Sequence, residues 1–75
     1  MRIERIEIDD ANVDHVTSHG VSIADIEAVF ASRPIIHRNK GGRAADYYAI
    51  ANDVRVNFVY RAGVVRPISA WRLLA

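Results

Sequence analysis

Val54-Arg55-Val56-Asn57-Phe58-Val59-Tyr60 is the stretch on which the fold turns. Val54, Val56, Phe58 and Tyr60 alternate with Arg55, Asn57, Val59 and Arg61. Successive side chains of a strand point to opposite faces, so this period of two predicts a half-buried β-strand with its apolar set inward. Arg55 and Arg61 then point to the solvent face. Asn52-Asp53 before the stretch and Ala62-Gly63 after it have the length of tight hairpin turns. The strand therefore gains an antiparallel neighbour on each side. The upstream neighbour starts at Arg43 or Asp46 and runs to Ala51, with Tyr48 and Ile50 sharing the core face and Tyr47 opposite. The downstream one runs from Val64 to Ala70. Its Pro67 cannot donate to a ladder, which predicts an edge or a bulge. Trp71 to Ala75 reads as a short tail.

Toward the N-terminus, Asn39-Lys40-Gly41-Gly42 reads as a loop and Ile35-Ile36-His37 as a short β-prone run. A helix begins at Ser22, where Ser22 and Asp25 form an S-x-x-D variant of the capping box. Ile23, Ile26, Val29 and Phe30 make its apolar stripe, and Pro34 ends it. An earlier helix runs from Ala11 to about Ser18, with Asp9-Asp10 as its N-cap and Gly20 as its left-handed end. Ile3 to Ile8 alternates Ile with charged residues and reads as a strand. The sum is one α+β domain over residues 1–75. An N-terminal strand and two helices pack on a three- to four-stranded antiparallel sheet whose other face stays free.

Seventy-five residues, 51% of them hydrophobic, suit a single small domain of marginal stability. The chain has no Cys, which excludes disulfides, iron–sulfur clusters, thiolate zinc sites and a Cys nucleophile. No apolar run reaches the ~18–20 residues of a membrane span, and the N-terminus has no apolar signal-peptide core. The expectation is a cytoplasmic protein without membrane contact. Lys40-Gly41-Gly42 lacks P-loop spacing, and no cofactor is expected. The net charge of +1 hides an asymmetry. Residues 1–33 hold three Arg against seven acids; residues 34–75 hold six Arg and one Lys against two acids. Arg is favoured for bidentate phosphate contacts, although the two halves can also neutralise each other across the fold.

Several side chains are candidates for chemistry. Lys40 and Arg43 bracket a loop that supplies cations. Arg55, Arg61 and Arg72 are placed to follow an RNA backbone, and Tyr47, opposite the core face, to stack on a base. Each has a structural alternative, as a solvated face or an ion pair. His15 and His19 are four apart but lack the Glu of H-E-x-x-H and a third ligand, so no metal site is expected. His37 adjoins Arg38 and reads as a loop His or a general base. An exposed sheet edge permits a homodimer.

Asn12-x-x-His15-x-x-x-His19-Gly20-Val21-Ser22, followed by Asp25-Ile26-Glu27-Ala28-Val29-Phe30, resembles the opening of BrnT-type toxins. The resemblance continues at Arg43, ahead of an apolar strand. It returns at Val64-Val65-Arg66-Pro67-Ile68-Ser69-Ala70, which is similar to that family's R-x-I-S-A segment. It implies a RelE-like fold and the toxin of a type II toxin–antitoxin pair, a metal-independent RNA endonuclease that arrests translation. The implied partners are a cognate antitoxin, RNA (including ribosome-associated mRNA), and DNA only through the antitoxin. The implied site residues are Arg43 and Arg66, for phosphate contact and transition-state charge, with His19 beside them. Ile8 stands where the family carries Trp, and Trp71 where it carries Arg, with Arg72 one place later. These departures set a second expectation: a catalytically silent toxin-like module that binds an antitoxin or another protein. A generic nucleic-acid-binding domain ranks third, because the first two helices are acidic.

Overall fold

The computed structural model describes residues 1–41 and 44–73. Its elements are β1 (Arg5–Ile6), α1 (Val13–Thr17), α2 (Ile23–Ala31), β2 (Ile36–Arg38), β3 (Tyr47–Ala51), β4 (Val54–Arg61) and β5 (Val64–Arg72). All five strands form one sheet in the order β1-β5-β4-β3-β2, with β4 at its centre. β2 to β5 are antiparallel, and β1 joins β5 in parallel. The expected antiparallel sheet is therefore four strands of a five-stranded mixed one, which the N-terminal strand joins at its edge instead of packing on it. The N-terminal strand is shorter than Ile3–Ile8 because β1 pairs only opposite Val64 and Val65, where it covers the edge that β5 would otherwise expose.

Both hairpins close as the turn residues predict. Asn52 and Asp53 have φ of 54° and 61°, and Ala62 and Gly63 have 49° and 86°. Positive φ at both central positions matches the right-handed twist of the flanking strands. The second helix also forms as read. Ser22 Oγ accepts from the Asp25 N–H at 3.0 Å, and Asp25 Oδ2 accepts from the Ser22 N–H at 2.9 Å. The first helix is shorter than expected, and its N-cap is Asn12 rather than Asp9 or Asp10. Asp9 instead folds its own turn, accepting from the Ala11 N–H.

The helices cover one face of the sheet. Val16, Val21, Ile26, Val29 and Phe30 meet Val56, Phe58, Val65 and Ala70 in one buried cluster. Phe30 sets its edge against the Phe58 ring at 5.2 Å between centroids. Asn12 is the polar seam of this layer. Its Nδ2 donates to the Glu7 and Pro67 carbonyls, both at 3.1 Å, which fastens α1 to β5.

β5 continues through Trp71 and Arg72, so neither belongs to a tail. Pro67 sits in an inner strand rather than at an edge. Two features permit it: the ladder slips between Asn57 and Phe58, and β1 has ended before Pro67. Asn57 faces Ser69 and Phe58 faces Pro67, leaving Ile68 as the extra residue. That insertion reverses the side-chain parity of the strand. Val65, Pro67, Ala70 and Arg72 share the helix side; Arg66, Ser69 and Trp71 share the open side. Among the described residues no helix is long and apolar enough to cross a membrane.

Candidate functional site

The open face of the sheet carries one row of large side chains, from β5 across to β2: Trp71, Arg55, Tyr48 and His37. The Arg55 guanidinium carbon lies 3.9 Å from the Tyr48 ring centroid and 5.4 Å from that of Trp71. His37 stacks on Tyr48 at 4.8 Å between centroids, nearly parallel. Cations attract the negative face of an aromatic ring, so Arg55 is held electrostatically as well as sterically.

Two side-chain amides accept from the same guanidinium, and a hydroxyl holds one of those amides. Arg55 Nε donates to Asn57 Oδ1 at 3.2 Å, and Nη2 donates to Asn39 Oδ1 at 3.1 Å. Asn39 Nδ2 in turn donates to the carbonyls of Ala45 and Tyr47, at 3.0 and 3.2 Å. Asn57 Nδ2 donates to Ser69 Oγ at 3.2 Å. No carboxylate pairs with Arg55 among the described residues. A hollow of about 250 Å³ shares this network, lined by Asn39, Asn57, Ile68, Ser69 and Trp71.

The parity of Tyr47 and Tyr48 is the reverse of the sequence reading. Tyr47 packs on the core, its ring stacked on Phe58 at 5.8 Å, while Ile50 on the Tyr48 side is 40% exposed. The reason lies in Ala49 and Ala51, which share the Tyr47 face. Their small side chains let α2 pack close to β3. Tyr47, expected on the open face as a base-stacking residue, therefore lies on the core side, and Tyr48 takes the open face.

The other cations are differently disposed. Arg66 is on the open face but engaged: Nη1 lies 2.9 Å from both Glu7 Oε1 and Asp9 Oδ2. The Asp9 and Glu7 carboxylates raise the Arg66 pKa, and Arg66 lowers that of Asp9. Arg72 lies on the helix side, where Nη2 donates to Asp25 Oδ2 at 2.9 Å. The step from Trp71 to Arg72 thus removes Arg72 from the open face. The Asp25 carboxyl is held below its ordinary range, first by the Ser22 backbone N–H and then by the Ser22 hydroxyl and Arg72. Arg61 ends β4 on the open face, lining a shallow groove with Arg5, Glu7, Asp46 and Arg66. Lys40 is exposed in the loop after β2. Arg43 lies outside the described residues, as does its neighbour Gly42.

His19 follows α1 in the helix layer, exposed, with Nδ1 3.2 Å from Ser18 Oγ. The sheet separates it from the open-face row, where His37 is the histidine. Asn39, Asn57 and Ser69 were not singled out from the sequence. Asn57 carried a usable signal: Asn is depleted in strands, and here it interrupts the best strand of the chain. No protein-family model, curated protein or solved structure was found to match this chain.

Proposed function

We infer that this chain is the toxin of a toxin–antitoxin pair, with a RelE-like fold, and that it acts on RNA at the open face of its sheet. The observation that carries this reading is the uncovered row of Trp71, Arg55, Tyr48 and His37, set opposite an acidic helix layer. Aromatic rings interleaved with cations suit single-stranded RNA, because bases stack on rings and phosphates meet guanidinium groups. The family pattern around His19-Gly20-Val21-Ser22 and Arg66 adds the toxin identity, and with it an antitoxin partner and a cytoplasmic setting.

Metal-independent cleavage requires a base for the 2′-hydroxyl and positive charge beside phosphorus. The base takes the 2′-hydroxyl proton as the 2′-oxygen attacks phosphorus, and the departing 5′-oxygen takes a proton from the protonated base or from water, leaving a 2′,3′-cyclic phosphate. On the open face His37 is the base, and Arg55, Arg61 and Arg66 supply the charge. Induced expression of the wild-type chain tests the reading. The expected result is growth arrest with RNA cut to 2′,3′-cyclic phosphate ends, unaffected by chelator in vitro. Intact RNA in healthy cells that contain folded protein would refute it.

One observation favours the second reading, a silent module that binds an antitoxin or another protein. Arg66 and Arg72, the two cations of the C-terminal segment, are both neutralised by carboxylates. Under that reading the wild-type chain binds its partner and cuts no RNA.

A further inference from the structure

Arg66, the arginine of the family-like segment, already has Glu7 and Asp9 as counter-ions. A phosphate that bound it would have to displace two carboxylates. Arg55 faces no such competition, and its orientation is fixed before any ligand arrives. Tyr48 and Trp71 restrict its plane, while Asn57 and Asn39 take Nε and Nη2. Nη1 has no hydrogen-bond partner among the described residues. A planar fork held in this way loses less side-chain entropy on binding than a free surface arginine.

The surroundings extend the site beyond one cation. The hollow beside the network is bounded by the Trp71 ring and by the polar groups of Asn39, Asn57 and Ser69. It offers a stacking surface and hydrogen-bonding groups next to the guanidinium, which is the combination that a nucleotide unit presents in reverse. The Ile68 bulge is what makes the hollow, because it turns Trp71 and Ser69 to the face that carries Arg55.

We propose that Arg55 is the phosphodiester anchor of the open face and that the hollow against Trp71 receives the adjoining base of a single-stranded RNA. The proposal rests on the RNA reading above and deepens it by moving the first phosphate contact from Arg66 to Arg55. Double-stranded RNA is excluded from such a site, since its bases are already stacked and paired.

Trp71 is the only Trp of the chain, so its fluorescence reports on this site alone. The wild-type chain is titrated with a single-stranded hexaribonucleotide, with the matching duplex, and with inorganic phosphate. Arg55→Lys keeps the charge but loses the fork, and Arg2→Ala removes one exposed cation elsewhere. The single strand should quench Trp71 saturably, and the duplex should not. Arg55→Lys should weaken the single-strand affinity by about tenfold or more, and Arg2→Ala by less than about twofold. Ile68→Glu places a negative charge at the rim of the hollow without touching Arg55, and it should weaken binding by a comparable factor. This variant carries the test if Arg55→Lys unfolds. Unaltered RNA affinity in folded Arg55→Lys or Ile68→Glu overturns the site and leaves the RNA reading standing. Saturable quenching by phosphate that is lost in Arg55→Lys, with no response to RNA, supports the anion anchor and removes the RNA reading. No response to any of the three ligands overturns both.

Discussion

The two faces of the sheet are built from the same strands by opposite means. On the helix side Val56, Phe58, Val65 and Ala70 are fully buried and make only apolar contacts with α1 and α2. On the open side Arg55, Asn57, Ser69 and Trp71 alternate with those same residues along β4 and β5, and they are joined by hydrogen bonds and ring contacts. The first face stabilises the domain by removing carbon from water. The second is ordered by polar and ring contacts rather than by a helix layer, with Asn57 buried and Arg55, Ser69 and Trp71 half-buried. Under the function proposed above, that order preorganises Arg55 for a ligand.

That contrast is broken most severely from the helix side. Phe58→Ala removes the ring that meets both Phe30 and Tyr47. Truncating a buried Phe costs about 3–5 kcal/mol, and in a domain this small the expected outcome is an unfolded chain by circular dichroism. Asn12→Ala should cost less, about 1–3 kcal/mol, read as a lower denaturant midpoint. It deletes the two bonds to the Glu7 and Pro67 carbonyls and leaves the Pro67 carbonyl buried without this donor. Gly63→Ala forces a side chain onto a residue with φ of 86°. A left-handed non-glycine residue costs about 1–2 kcal/mol, again measured by denaturation. The added Cβ would also fall 2.6 Å from the Glu4 carboxylate, which must move.

The open side should answer differently. Tyr48→Ala should shift stability by less than about 1 kcal/mol while weakening single-stranded RNA binding, since it removes the ring beneath Arg55 and leaves the core intact. A large loss of stability in this variant would erase the distinction between the faces. The smallest expected effect is on pH dependence. Asp9 and Asp25 have folded-state pKa values below the ordinary 3.8. Their contribution is therefore complete above that value and is lost as pH falls through the lowered folded-state values. Thermal unfolding should show a falling midpoint below about pH 4, and Asp25→Asn should flatten part of that fall.

Much of the fold was legible in local residue chemistry. The capping box at Ser22 and Asp25, the left-handed Gly20, the paired turn residues at 52–53 and 62–63 and the alternation of β4 each act within a few residues of chain. The site was less legible. Tyr47 and Tyr48 differ only in which of them shares a face with Ala49 and Ala51, and the larger Ile50 pointed to the wrong face. Arg66 read as a phosphate contact with an ion pair to the acidic N-terminal half as its alternative, and Arg72 as an RNA contact or an exposed tail residue. The counter-ions Glu7, Asp9 and Asp25 could not be named because they are distant along the chain. Arg55 was legible as an outward residue, but not as a restrained one.

The sequence by itself determined the elements, their hairpin order and the face of β4 that is buried, because these follow from periodicity and turn chemistry. Only the tertiary structure decided which side chains of β5 share a face. An unbroken strand would place Arg66 and Trp71 on opposite faces, being an odd number of residues apart. The bulge at Ile68 brings them onto the same one. It also brings Trp71 to Arg55 and Ser69 to Asn57, while Arg72 turns away to Asp25. The physical reason is that one inserted residue changes the parity of everything after it; Pro67 predicted an edge or a bulge, and only pairing between strands decided for a bulge, with Ile68 as the extra residue.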